Sequence, residues 1–238
     1  MSNLKNMLKW EFTLLSRYKI IHISVLSVVL YFLVTQAVSS LNQGQMHSTL
    51  LFFDPALIGI MFLGALVLFE KSENVLQALV ITPMKTDDYL LSKIVSLTIL
   101  SFISAAIFIG LLFAFEGTEP HIFYLFGGII LTSVMLILLG FIIVSRVDSI
   151  NGYLLVMMIA FIGLTFPPVL NLFGLYESSI FYLWPTQASF ILFDGVFNAA
   201  SLELWEIAYG VGYQLFWIGL FYYLAKKSFY KYIVLKGG

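Results

Sequence analysis

Residues 70–93 read Glu-Lys-Ser-Glu-Asn-Val-Leu-Gln-Ala-Leu-Val-Ile-Thr-Pro-Met-Lys-Thr-Asp-Asp-Tyr-Leu-Leu-Ser-Lys. This is the longest charged stretch between two hydrophobic runs, and it carries an apolar core of its own. Val75, Leu76, Leu79 and Val80 recur at helical spacing, while Glu70, Lys71, Glu73, Asn74 and Gln77 are polar. The apolar part is about half of the ~20 residues that a membrane-spanning helix needs. Such a helix lies along a membrane surface or docks on a partner. Pro83 stops it, and Thr86 or Asp87 can cap a new helix that carries Tyr89, Leu90 and Leu91 onward.

Composition fixes what surrounds this stretch. Of 238 residues, 61% are hydrophobic and 11% charged, and the mean hydropathy is +0.98. A soluble domain of this length has too little interior to hide that much apolar surface. The reading is an all-α integral membrane protein, a single transmembrane domain over 1–238. There is no cysteine, which removes disulfides, thiolate nucleophiles and cysteine-ligated metals.

Working outward, residues 1–19 form an amphipathic interfacial helix. Leu4, Met7, Leu8, Phe12 and Leu15 share one face, Lys5, Lys9 and Glu11 avoid it, and Trp10 suits the headgroup level. Span one covers 20–38. A polar outer loop leads to Asp54-Pro55, read as N-cap and first turn of a short span two at 55–69. Spans three, four and five cover 94–115, 122–144 and 150–166, the last ending at Pro167-Pro168. Residues 169–204 form short outer-face helices, and span six covers 205–225.

The basic residues test this six-span layout. All twelve Lys and Arg fall in 1–19, 70–93, 145–149 and the tail after 225, and none in the alternate loops. Chance alone sorts them this way roughly once in four thousand, whereas the positive-inside bias of cytoplasmic loops produces it directly. Both termini and residues 70–93 are therefore expected in the cytoplasm of a multi-pass cell-membrane protein. The acids Asp54, Glu116, Glu119, Glu177, Asp194, Glu203 and Glu206 are assigned to the outer side. They read as an acidic exit attracting cationic amphiphiles, or as acids that escape the orientation rule.

Searching for chemistry gives little. No nucleophile elbow, zinc-protease pair or Gly-Lys phosphate loop occurs, and His22, His47 and His121 are scattered. The chain is expected to be no enzyme, to hold no metal or cofactor, and to bind no nucleic acid. Ionisable residues are nearly absent from the expected spans, unlike an ion-coupled carrier with midplane acids. Met61, Phe62, Met157, Met158 and Phe161 are candidate lining for an apolar translocation path, because Met and Phe adapt to varied ligands. Gly59, Gly64, Ser101, Ser104, Ala105, Ala208 and Gly212 are candidates for close helix packing.

Glu70, then Leu76, Leu79, Thr82, Pro83, Tyr89, Leu90 and Lys93, resembles the cytoplasmic signature of ABC-2 type transporter permeases, in which Glu precedes Gly-Thr-Leu, a Thr/Ser-Pro pair and Tyr-Leu-x-x-Lys. Asn74-Val75 stands where Gly-Thr is usual. With Asp54-Pro55-Ala56 included, the chain looks most like permeases named as fluoroquinolone exporters. The resemblance implies a permease subunit that moves a hydrophobic or amphipathic compound or peptide outward. It implies a cytoplasmic coupling helix docked on a separate ABC ATPase, with Glu70, Glu73, Val75, Leu76, Leu79, Val80, Pro83 and Lys93 as coupling residues. Leu8, Trp10 and Phe12 would seat the interfacial helix. Two ATPase subunits, carrying ATP and Mg, would serve two permease copies or a permease and its paralogue. The alternatives are a non-transporting immunity or scaffold protein of the membrane, and an ion-coupled carrier.

Overall fold

The computed structural model describes residues 2–38, 43–76 and 86–234. Among them the regular structure is entirely helical. Helix α1 spans Ser2–Arg17 and α2 spans Ile20–Ala37. A rod follows, built from α3 (Gln43–Ala56), a π-helical turn (Leu57–Phe62) and α4 (Leu63–Ser72). Helices α5 (Thr86–Glu116), α6 (Ile122–Val144) and α7 (Ile150–Leu172) come next. A short 3₁₀ turn at Ser179–Leu183 leads to α8 (Gln187–Phe197), and α9 (Leu204–Phe229) ends the bundle.

Five of these elements are long and apolar enough to cross a bilayer: α2, the 30-residue rod Gln43–Ser72, α5, α6 and α7. The expected sixth span, α9, has the length at 26 residues, but Tyr, Gly and Gln dilute its apolar content. Helix α6 is the centre of the bundle and packs against α9, α8, α5 and the rod. Its 23 residues carry no charge, and Met135, Leu136, Ile137, Leu138 and Phe141 are fully buried there. Helices α2 and α7 are peripheral, with only 22% of their apolar windows buried within the chain.

Two expected boundaries are wrong, and for related reasons. Asp54-Pro55 does not start a helix: the rod begins at Gln43, eleven residues earlier, and Pro55 lies inside it. Pro55 has no N–H to give to the preceding turn, and the π turn that follows absorbs the disturbance. The Tyr153 hydroxyl then donates to the Ile60 carbonyl within that turn. Likewise α7 does not stop at Pro167-Pro168 but continues to Leu172. The two prolines leave the carbonyls of Gly163 and Leu164 without their helical donors. Trp184 Nε1 donates to the first at 2.7 Å, and Thr186 Oγ1 donates to the second. Prolines persist inside membrane helices where neighbouring groups supply the missing bonds in this way.

Small residues set the closest approaches. Gly59 and Gly140 let the rod and α6 meet, since a Cβ on Gly140 would stand 2.9 Å from the Gly59 carbonyl. Gly64 leaves room for the Tyr153 ring, which a Cβ would strike. Ser104 of α5 bonds to Ser24 of α2, and Ala105 is buried beside it. Gly212 faces open space; Gly210, one turn-face away, is the α9 glycine pressed against Leu192.

Candidate functional site

At the end of the bundle where α1 packs against α5, three charged side chains leave the solvent together. Lys93 is 0% exposed, and Glu11 and Glu70 are each 2% exposed. Lys93 Nζ donates to Glu11 Oε2 at 2.9 Å and to Glu70 Oε1. The Tyr89 hydroxyl donates to the other Glu70 oxygen at 2.6 Å. Each residue comes from a different local logic. Glu70 lies in the last turn of α4, while Tyr89 and Lys93 are one turn apart on the buried face of α5 (with Leu90 and Leu97). Glu11 sits on the stripe of α1 that buries Leu14 and Leu15.

This knot clamps α1, α4 and α5 to one another. A lysine shared by two buried carboxylates has its charge neutralised and its donors used, the condition under which buried ions persist. Truncating one member strands the others, which costs about 3–5 kcal/mol in buried pairs of this kind. Burial pushes the Glu11 carboxyl up to about 7; Lys93 pulls it down and Glu70 adds to the rise. The helical pattern places Glu11 on the polar face of α1, whereas the structure buries it against α5. The signal was available: Met7, Glu11, Leu14 and Leu15 fall at i, i+4, i+7 and i+8.

A pocket of about 380 Å³ opens beside the knot, lined by Met7, Trp10, Glu11, Glu70, Val75 and Tyr89, together with Asn6. Trp10 is 49% exposed, Leu8 and Phe12 are half-buried, and Leu76 is buried. Glu73 is exposed and accepts the Tyr18 hydroxyl at 3.0 Å, while the Tyr18 ring stacks on Phe69. Asn74 ends α4 with φ of +58°. Where the signature has glycine, this chain uses asparagine, which tolerates the left-handed region better than most residues do. Leu79, Val80 and Pro83 lie outside the described residues. Two surface ion pairs border the knot: Lys71 with Asp148 at 2.6 Å, and Lys226 with Asp87 at 2.7 Å.

The path candidates are not gathered at one place. Phe62 and Met157 are buried, Met61 and Met158 are exposed, and Phe161 is half-buried against Phe53.

Two residues expected on the outer side, His47 in a loop and Asp54 as the N-cap of span two, are inside the bundle. His47 is buried on α3 with Nε2 3.2 Å from Glu116, which also accepts Gln36 Nε2 at 2.6 Å. Asp54, 3% exposed, lies in mid-rod where Ser104 reaches its carboxyl, and its Oδ2 has no hydrogen-bond partner. The membrane-embedded helices are thus not free of acids.

Comparison with known proteins covers nearly the whole length of the chain. The model of the Fluoroquinolones export permease protein family matches residues 2–237. Two relatives named fluoroquinolones export permease protein come from Mycobacterium tuberculosis, strains CDC 1551 / Oshkosh and ATCC 25618 / H37Rv. Each is 30% identical over 238 residues, spanning 100% of this chain and 99% of its own. A 26.9 kDa multi-pass helical membrane protein by composition and fold, this chain belongs to the fluoroquinolones export permease family.

Proposed function

We propose that the chain is the permease subunit of an ATP-driven exporter of the ABC-2 type, carrying a hydrophobic or amphipathic drug-like compound out of the cell. The export named for its relatives supports the drug-like cargo. In this reading α2, the rod, α5, α6, α7 and α9 are six spans with both termini in the cytoplasm. Two copies, or one copy and a paralogue, form the pathway above two ATPase subunits that hold ATP and Mg. The alternative class, a membrane immunity or scaffold factor, lacks any comparable support.

One observation carries the mechanism: Glu11, Glu70 and Lys93 lock α1, α4 and α5 together, with Glu70 and Lys93 on the two elements that flank residues 77–85 in sequence. Force applied to that stretch by a closing ATPase dimer reaches α4 and α5 as a single clamped unit rather than as a loose loop. The test is reconstitution with an ABC ATPase that co-purifies with this chain. Leu79→Ala with Val80→Ala should leave insertion intact and lower transport per ATP hydrolysed at least tenfold. Unchanged coupling overturns the assignment.

A second reading, the ion-coupled carrier, gains from Asp54, a buried carboxylate with an unpartnered oxygen among hydroxyls. It predicts gradient-driven transport without ATP that Asp54→Asn abolishes.

A further inference from the structure

The end of the bundle opposite the Lys93 knot holds a second pocket, of about 180 Å³. Its lining includes Tyr182, Gln187, Phe190, Ile191, Asp194 and Glu206. Gln187 is 4% exposed, and its Oε1 has no hydrogen-bond partner. A buried amide oxygen without a donor is destabilising in itself and marks a place where a donor belongs. Around it stand two carboxylates. Ser48 and Asn198 both donate to the same Asp194 oxygen, Oδ1, at 3.5 and 2.9 Å. Glu206 Oε2 accepts the Glu203 amide at 2.9 Å, closing the capping box of α9.

Among the described residues no lysine or arginine pairs with these acids. Between Arg146 and Lys226 the chain contains neither Lys nor Arg, and α3 and α6, which also pack on α8, contain none either. Every ion pair among the described residues uses other acids. Burial raises the Asp194 carboxyl above the ordinary aspartate range, with Asn198 and Ser48 opposing the rise. The remaining wall sets Asn171 among aromatic and aliphatic side chains. Tyr182 is braced by Trp205 and Tyr209, with ring centroids 5.6 and 5.3 Å away. One acceptor without a donor, two carboxylates without a Lys or Arg partner and an aromatic flank together select an organic cation, since ammonium groups take both ion pairs and ring faces. A bare metal ion fits less well: among the described residues no three His or acidic side chains are grouped to hold one.

We infer that this pocket binds the ammonium headgroup of a cationic amphiphile, with Asp194 and Glu206 as counter-charges and Gln187 Oε1 accepting an N–H. The inference deepens the exporter reading and rests on it for calling such an amphiphile cargo. An ethanolamine lipid offers the same headgroup, so the test separates the two sources.

The experiment is equilibrium binding to the full chain in phosphatidylcholine nanodiscs, with empty discs subtracted. Dodecylammonium should bind at least tenfold more tightly than dodecanol. In Asp194→Asn/Glu206→Gln, which keeps both hydrogen-bond geometries, that preference should collapse to within threefold. Gln187→Leu should weaken dodecylammonium several-fold while sparing dodecyltrimethylammonium, which has no N–H to offer. Competition when phosphatidylethanolamine enters the disc supports the ammonium site and assigns its occupant to lipid; absence of competition assigns it to cargo. A preference that survives in the double variant overturns the proposal. So does a wild-type chain that binds alcohol and amine alike, which needs no variant to fold, or micromolar calcium displacing the amine. Binding needs no ATP. Intact amine binding without ATP-driven export therefore sinks only the transport reading, and ATP-driven export indifferent to charge sinks only this one.

Discussion

Glu11 carries the most consequence for its size. Docked between α1 and α5, it keeps its proton up to about pH 7, whereas a free glutamate releases it near 4.5. Between those values the docked state holds more protons than the undocked one, so docking is favoured near pH 5 and weakens as pH rises to 7. Above 7 the dependence levels off. The groups facing Glu11 are Lys93, Glu70 and Tyr89, and all three stay in place in Glu11→Gln. Hydrogen exchange of α1, corrected for intrinsic rates, should be slower at pH 5.5 than at pH 7.5 in the wild type. It should show no such slope in Glu11→Gln, and a slope of opposite sign in the wild type would contradict the burial argument. Nothing local in the sequence identifies Glu11 as a partner of Lys93, 82 positions away. A charge on an amphipathic helix is scored as polar by default, and only the stripe it shares with Leu14 and Leu15 argues otherwise. Asp54 is a similar case, since Asp-Pro serves equally as a helix start and as an internal kink. The deciding partners, Ser104 and the π turn, are distant in sequence or conformational.

At the scale of the elements, the rod and α7 are coupled through one tyrosine. Tyr153 passes over Gly64 to reach the Ile60 carbonyl. Gly64→Ala should therefore destabilise by about 1–3 kcal/mol through overpacking. Tyr153→Phe should cost about 0.5–1.5 kcal/mol by removing one hydrogen bond to that carbonyl, which the Leu63 N–H still reaches. Because Tyr153→Ala removes the ring that the new methyl would strike, the double variant Gly64→Ala/Tyr153→Ala should cost less than the sum of its singles. Urea or thermal unfolding in detergent measures this, and strict additivity would mean the two sites do not touch in solution. Elements of this kind differ in how legible they are. Helix α6 is apparent from its sequence, because 23 uncharged residues between His121 and Ser145 admit one reading. The rod's first turns are not: Gln43, Gln45 and Ser48 look like loop residues until Gln45 is seen bonding Leu172 and Ser48 bonding Gly44.

Considered whole, the molecule is unevenly clad. Helices α2 and α7 expose Leu26, Leu30, Leu33, Leu155, Ile159 and Ile162, a surface that lipid or a second permease must cover. The absence of cysteine makes this easy to probe. Single variants Leu30→Cys and Ile159→Cys should form disulfide-linked dimers in native membranes if two copies meet along these helices. A control at Phe113→Cys on α5 should remain monomeric, and equal cross-linking at all three positions would indicate random collision. Helices α2, α5, α6 and α7 were legible from their long apolar runs because a bilayer imposes one composition rule on every span. Pairing inside the bundle has no such rule, so the Lys93 knot and the Gln187 pocket emerge only from three-dimensional packing.

The twin prolines of α7 carry one last implication. Their stranded carbonyls are stapled by Trp184 and Thr186, residues that the ribosome makes some twenty positions later. The helix therefore leaves the insertion machinery with two bare acceptors, and it is completed only when the following turn folds back. Once that latch is shut, the turn cannot swing away without stripping both carbonyls again. Any outward gate in this protein must accordingly carry the tip of α7 and its clasp as one rigid piece, with the hinge placed elsewhere.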